Sequence, residues 1–192
     1  MGLVPDPATG RRFPRDVRWP GVLRRRLGEG YEVIEEGKGG RTTVYDSPIS
    51  GSVNNGKLYL EPCLESHQPL DLVIIMLGTN DLQARFAATV GDITGGVFQL
   101  VRMALWYAPV LAVVPPPLEP MPPDLEDQYA GGHEKSQRLA AHFKTNLSIP
   151  GCAVFDAGTV VRFSEIDGLH LSAEGHATLG NAIADVAREM IA

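Results

Sequence analysis

Three apolar runs stand out against an otherwise mixed chain: "LVIIML" at 72–77, "VLAVV" at 110–114 and "CAVFDA" at 152–157. Each is too short and too continuous to be an amphipathic helix. Each predicts a strand buried on both faces, as in a parallel sheet. A shorter, more polar run, "YEVIEEG" at 31–37, predicts a fourth strand. Between these runs apolar residues recur at helical spacing. Trp19, Val22, Leu23 and Leu27 fall on one stripe that Gly28 ends. A helical pattern spans 92–107, and another spans 133–147 with Leu139 and Phe143 on one face. Ser172 is positioned to cap a last helix running to Ile191, with Leu179, Ile183, Val186 and Met190 as its apolar stripe. Residues 1–15 read as loop, 46–62 as an irregular insertion with Asn55-Gly56 as a tight turn, and 115–127 as a Pro-rich loop. Strands alternating with helices define an α/β chain: a parallel sheet with helices on both faces. No repeat or linker divides it, so residues 1–192 are read as one domain.

In such sheets ligands bind beyond the carboxyl ends of the strands. The polar loops 37–43, 78–81, 115–127 and 156–170 all follow predicted strand ends and should converge on one rim. Four residues there are candidates for chemistry. Asp167 and His170 have a spacing that lets a carboxylate hold one imidazole nitrogen and leaves the other free as a base. The same spacing also suits a loop aspartate beside a helix-capping histidine. Asn80 can aim a side-chain amide at a developing oxyanion, or simply form the Gly-Thr-Asn-Asp turn. Gly40 offers an unobstructed N–H, or is glycine because the turn needs positive φ. "GKGGRTT" is no phosphate loop, because Thr42 stands where the third glycine belongs. His170 and His176 make a poor metal pair. His176 is expected on the last helix and partly buried. His67, His133 and His142 are expected as surface or packing residues, and Trp19 and Trp106 in the core.

Composition narrows the class. A formal charge of −6 argues against nucleic acid or an anionic membrane as partner. No run approaches the ~18 apolar residues of a membrane span. The residues "MGLVPDPATG" lack the features of a secretory leader, and Asp6 breaks the myristoylation pattern. Two isolated cysteines, Cys63 and Cys152, form no disulfide framework, so a reducing, cytoplasmic setting is expected.

Taken together, "EEGKGGRTT", "GTND" and "DGLH" resemble three of the sequence blocks of the SGNH (GDSL) hydrolases. The neighbouring text "DVRWPGVL", "LDLVIIMLGTND", "VVPPPL" and "FDAG" is similar to their bacterial arylesterase/acyltransferase branch. The resemblance covers essentially the whole chain. It implies a flavodoxin-like three-layer α/β/α sandwich with five parallel strands. Its reaction is acyl transfer through a covalent acyl-enzyme, on small or aryl esters, with no metal or organic cofactor. By resemblance, the Gly40 N–H and Asn80 amide are oxyanion donors, His170 is the base and Asp167 orients it. The 46–62 and 115–127 segments would rim the site, and a homo-oligomer is implied.

The sequence departs from that pattern at one place. The family's first block, Gly-Asp-Ser-Leu or similar, carries the nucleophilic serine and ends the first strand. None of the eight serines, at 47, 50, 52, 66, 136, 148, 164 and 172, follows Gly-Asp or ends a strand. In the flavodoxin order the first strand lies between the second and third, here between 31–36 and 72–77. Its absence would open the sheet and remove about five buried side chains worth roughly 1.5–3 kcal/mol each. Residues 1–192 are therefore expected to be a shortened version of the domain that folds poorly alone and is inactive as given. Losing the serine of such a triad costs on the order of a millionfold in turnover. The alternative is a noncatalytic protein of the same fold that keeps the pocket. A nucleotide-binding flavodoxin-like module is a weaker third reading.

Overall fold

The computed structural model describes residues 2–6 and 10–192. The loop expected over residues 1–15 thus falls partly outside the described residues; within them, an isolated antiparallel bridge joins Leu3 to Arg12.

Three of the four predicted strands form. They are β1 (Val73–Ile75), β2 (Val110–Val114) and β3 (Cys152–Asp156). They pair in parallel in the order β1-β2-β3, with Val73 opposite Val110 and Val110 opposite Cys152. β2, with neighbours on both sides, is buried at every residue. That is why its sequence is uniformly apolar.

The helices are α1 (Trp19–Leu27), α2 (Gly56–Ser66), α3 (Val90–Ala104), α4 (Pro123–Gln128), α5 (Gly132–Asn146) and α6 (Ala173–Ile191). α3 and α5 connect adjacent parallel strands in the same direction, so right-handed crossovers place them on one face, where they pack together and α2 joins α3. α1 packs chiefly on α6. Gly180 permits that close crossing, because a Cβ there would lie 2.7 Å from the Trp19 carbonyl. At the same junction His176 Nδ1 accepts the Trp19 N–H at 3.3 Å, satisfying one of the N–H groups left over at the start of α1. Burial drives the pKa of that imidazole down to about 4, so it stays neutral.

Several boundaries differ from the linear expectation. α3 begins at Val90, two residues before the expected start, because Thr89 and Asp92 form a reciprocal capping box that marks its N-terminus. The 46–62 segment is not wholly irregular. Asn55 is no turn residue but the N-cap of α2, its side chain accepting the Lys57 N–H at 3.0 Å. The Pro-rich loop contains the short α4. Trp106 is 85% exposed rather than core, because it follows the end of α3 in a turn.

The largest difference concerns 31–37. These residues form no strand, and among the described residues the sheet has three strands, not the five that the resemblance implies. The physical reason is the missing neighbour, since a strand is defined by the ladder it shares. A cavity of about 530 Å³ separates 30–38 from 69–77, with Leu23 and Leu60 among its walls. Along β1, Val73 donates its N–H to Pro109 on the β2 side at 2.9 Å. By strand alternation Ile74 turns its N–H and C=O the other way, toward the cavity. Ile74 is accordingly only half-buried, while Val73 and Ile75 are buried. The gap lies where the sequence placed the absent central strand. Hydrogen exchange provides a check: the Ile74 amide should exchange rapidly, whereas the Val73 and Ala112 amides should be protected. Equal protection of Ile74 would mean that this edge is covered.

Candidate active site

The three strands run parallel and in register, so the loops that follow them leave from one edge of the sheet. All four candidates sit on loops at or near that edge.

Gly40 has φ +73°, so the turn does require glycine-like freedom, and a Cβ there would come within 3.1 Å of the Asn54 amide. This does not remove its N–H from consideration; both properties coexist. Asn80 opens a short 3-10 turn after β1 and is buried. Its Nδ2 donates to the Arg41 carbonyl at 3.0 Å, which brings the Asn80 turn against the Gly40 loop. Its Oδ1 accepts from Tyr129 Oη at 3.3 Å and Gln83 Nε2 at 3.4 Å. Those two donors fix which end of the amide faces which way, and one Nδ2 hydrogen remains uncommitted. Sequence reasoning missed Tyr129 and Gln83. Gln83 adjoins the GTND turn and could have been suspected, whereas Tyr129 arrives from the end of α4 with no local signal.

A second missed element lies directly below. Asp81 is 0% exposed, and its carboxylate accepts the Thr43 N–H at 3.0 and 3.2 Å and the Thr43 hydroxyl. Thr43 in turn accepts the Lys57 N–H at 2.9 Å through its carbonyl, tying in the start of α2. Gly96 of α3 makes room for it, because a Cβ there would lie 2.2 Å from Thr43 Oγ1. Burial pushes the Asp81 pKa up to about 6, and the hydrogen bonds from Thr43, with a smaller one from the Asp81 backbone, hold it from rising further.

Asp167 and His170 are in contact. His170 Nδ1 lies 2.7 Å from Asp167 Oδ2. Asp167 Oδ1 accepts the N–H groups of Leu169 at 3.0 Å and His170 at 2.9 Å. Burial would raise the pKa of this carboxyl, but the bonds from the His170 ring and the two amides outweigh it and hold it below the usual range. An ionised carboxylate only accepts, so Nδ1 carries the proton and Nε2 is left as a base. The Asp167 side chain is 3% exposed and that of His170 19%, so the pair is sheltered but the ring is reachable. The turn that presents them is locked by Gly168 (φ +67°), where a Cβ would lie 2.4 Å from the Glu119 carbonyl. Of the two readings left open by the spacing, the carboxylate–imidazole pair is the one that forms. The last helix is capped by Ser172, which accepts the Gly175 N–H at 3.1 Å, not by His170.

Five of the eight serines serve other ends. Ser47, Ser164 and Ser172 accept backbone N–H groups in turns and a cap, and Ser66 and Ser136 donate to carbonyls within helices. Among the described residues no serine hydroxyl bonds the His170 ring.

An imidazole polarised by a buried carboxylate and an oriented carboxamide, on the carboxyl edge of a parallel sheet flanked by helices, define a hydrolase-type α/β protein. Residues 7–178 match the GDSL-like lipase/acylhydrolase family. The chain belongs to that family. Among solved structures it is similar to a carbohydrate acetylesterase from Sinorhizobium meliloti, at 42% identity and TM-score 0.94 over 98% of this chain and 94% of that one. It is equally similar to the inhibitor-bound aryl esterase of M. smegmatis, at 42% identity and TM-score 0.95 over the same shares, 98% and 94%. A member of the lipolytic G-D-S-L family from Veillonella parvula shares the fold alone, at 13% identity and TM-score 0.67 over 91% and 89%. No curated protein matches the chain. Among the described residues no helix is long and apolar enough to cross a membrane.

Replacing Asp81 by Asn tests the electrostatics of the clamp. The folded pKa of about 6 lies above the 3.8 of a free carboxyl. Asp81 therefore favours folding below pH 3.8, and that contribution fades as the pH rises through about 6. The shift corresponds to on the order of 3 kcal/mol. Asp81→Asn should gain stability relative to the parent by about that amount between pH 3.5 and pH 8 in urea unfolding. A pH-independent difference would show that Asp81 ionises normally.

Proposed function

We propose that this domain is a carboxyl-ester hydrolase and acyltransferase acting on small or aryl esters. The observation that carries this is the 2.7 Å contact from Asp167 to His170 Nδ1, which leaves Nε2 as a base at the sheet's carboxyl edge. The acetylesterase and aryl esterase named above support it by similarity, and both take small acyl groups or aryl esters according to their names.

In this reading a serine hydroxyl attacks the ester carbonyl and His170 Nε2 takes its proton. Asp167 stabilises the resulting imidazolium. The Gly40 N–H and the free Nδ2 hydrogen of Asn80 receive the oxyanion. His170 then returns the proton to the departing alkoxide and leaves an acyl-enzyme, which water hydrolyses or an alcohol accepts. Tyr129 and Gln83 position the Asn80 amide and do not touch the substrate.

The hydroxyl is supplied by a segment outside residues 1–192 that occupies the cavity beside β1, and residues 1–192 alone are inactive. Two features support this. The cavity reaches Arg41 and Leu77, at the loop ends that bear Gly40 and Asn80. Among the described residues no serine hydroxyl is bonded to the His170 ring, and five of the eight serines bond backbone groups in turns, a cap and helices. A noncatalytic pocket-bearing protein of the same fold is the competing reading, favoured by that same lack of a serine beside His170. The substrate is a small-molecule ester, with neither nucleic acid nor membrane as partner. The exposed Ile49 and Val53 of the 46–62 segment suit a contact between identical subunits. The two free cysteines suit a reducing cytoplasm.

Hydrolysis of p-nitrophenyl acetate decides between the readings. Residues 1–192 should show no turnover above buffer, and a chain extended upstream by a serine-bearing strand should be active. In the extended chain, His170→Ala should lower kcat by at least about a thousandfold, and Asp167→Asn by about as much. An inactive extended chain, or a His170→Ala variant with full activity, would sink the esterase reading. In the active protein Tyr129→Phe should lower kcat by a few-fold with KM unchanged, since it frees the amide to rotate. A change in KM alone would instead place Tyr129 against the substrate.

A further inference from the structure

Away from the Asp167–His170 pair, three side chains of different ligand chemistry meet at one point. Cys63 and His67 lie at one-turn spacing at the end of α2, on the same helix face. Glu36 reaches them from 31–37, the segment without a sheet partner. One ligating atom from each, a thiol sulfur, an imidazole nitrogen and a carboxylate oxygen, lies within 4.8 Å of the other two. His67 Nε2 and Glu36 Oε1 are 3.0 Å apart. A tetrahedral zinc with Zn–S of about 2.3 Å and Zn–N or Zn–O of about 2.0–2.2 Å needs these atoms roughly 3.3–3.8 Å apart. Small rotamer changes close the difference.

We propose that Glu36, Cys63 and His67 form a binding site for a thiophilic divalent cation, Zn2+ above all, with the fourth position open to solvent. A thiolate and an imidazole select zinc over magnesium or calcium, which take oxygen ligands. The surroundings supply the outer support that metal ligands use. The Tyr59 hydroxyl donates to the second oxygen of Glu36, and that bond, ahead of smaller contributions from His67 and Arg41, holds the carboxyl below its usual range and therefore ionised. Among the described residues Arg41 is the guanidinium that acts on the group. Its guanidinium is stacked 3.9 Å above the Tyr59 ring and acts electrostatically on both Glu36 and Cys63. A cysteine binds zinc as its thiolate, so on binding the S–H bond breaks, an S–Zn bond forms and one proton enters solution, and affinity rises with pH. The bound ion would tie 31–37 to the end of α2. The sequence concealed the site because Glu36 lies far upstream of a Cys-x3-His pair that by itself resembles no zinc motif.

The test uses reduced protein, Zn2+ in competition with a chromogenic chelator, and Co2+ as a spectroscopic probe. One equivalent of Zn2+ should bind and raise the Tm, and Co2+ should give thiolate-to-cobalt charge-transfer absorption. Cys63→Ser should abolish that absorption. Cys63→Ser, His67→Ala and Glu36→Gln should each weaken Zn2+ binding by at least about tenfold, since losing outer support alone costs about 10–100-fold. Glu36 is exposed, so Glu36→Gln leaves the packing intact. Cys152→Ser should bind as the parent does. Absence of stoichiometric binding, or unchanged binding in Cys63→Ser and Glu36→Gln, would overturn the proposal. No step depends on ester hydrolysis, so the result stands apart from the esterase reading.

Discussion

A carboxylate with no water around it holds the rim of this molecule together. Asp81 finds its hydrogen bonds at one residue, Thr43, and both are fully buried. An unmatched buried charge is strongly destabilising, so the two loops must stay in contact or Asp81 must take up a proton. The bond therefore fixes the distance between the tip of β1 and the loop that follows 31–37. The Asn80 amide and Gly40 ride on those two loops. Through Lys57 the same clamp also sets where α2 begins. Asp81 is better suited to geometry than to stability: its desolvation is only partly offset, the pattern expected where function demands a fixed arrangement.

Below that clamp the sheet is uneven. β2 is wholly buried, β3 half-buried along its length, and β1 is covered on one edge only. The cavity beside β1 is bounded by backbone as well as by apolar side chains, and unpaired backbone groups there remain hydrated or unsatisfied. A gap of this kind weakens the domain close to the loops that bear Gly40 and Asn80. The chain's similarity to two solved esterases over nearly its full length shows that sheet and helices keep the family's shape beside the cavity.

The Glu36–Cys63–His67 cluster belongs to the same picture. Its members come from the two sides of that cavity, one from the unpaired segment and two from α2. Where a sheet cannot supply hydrogen bonds, side-chain contacts carry the connection, and the Tyr59–Glu36–His67 network does so here.

Much of this was legible along the chain. Continuous apolar runs located β1, β2 and β3 because buried parallel strands have no polar face. Periodicity located α1, α3, α5 and α6, and Ser172 marked its cap correctly. The Asp167–His170 pair was legible because both partners lie in one turn, where spacing limits geometry. What the sequence could not decide was anything requiring distant segments to meet. The strand expected at 31–37 needs a neighbour, and pairing is a property of two segments rather than one. Tyr129 on Asn80, Thr43 on Asp81, and Glu36 on Cys63 and His67 are contacts between residues tens of positions apart. Local chemistry fixes which groups each segment offers; only the packing of sheet and helices determines which of those groups face one another.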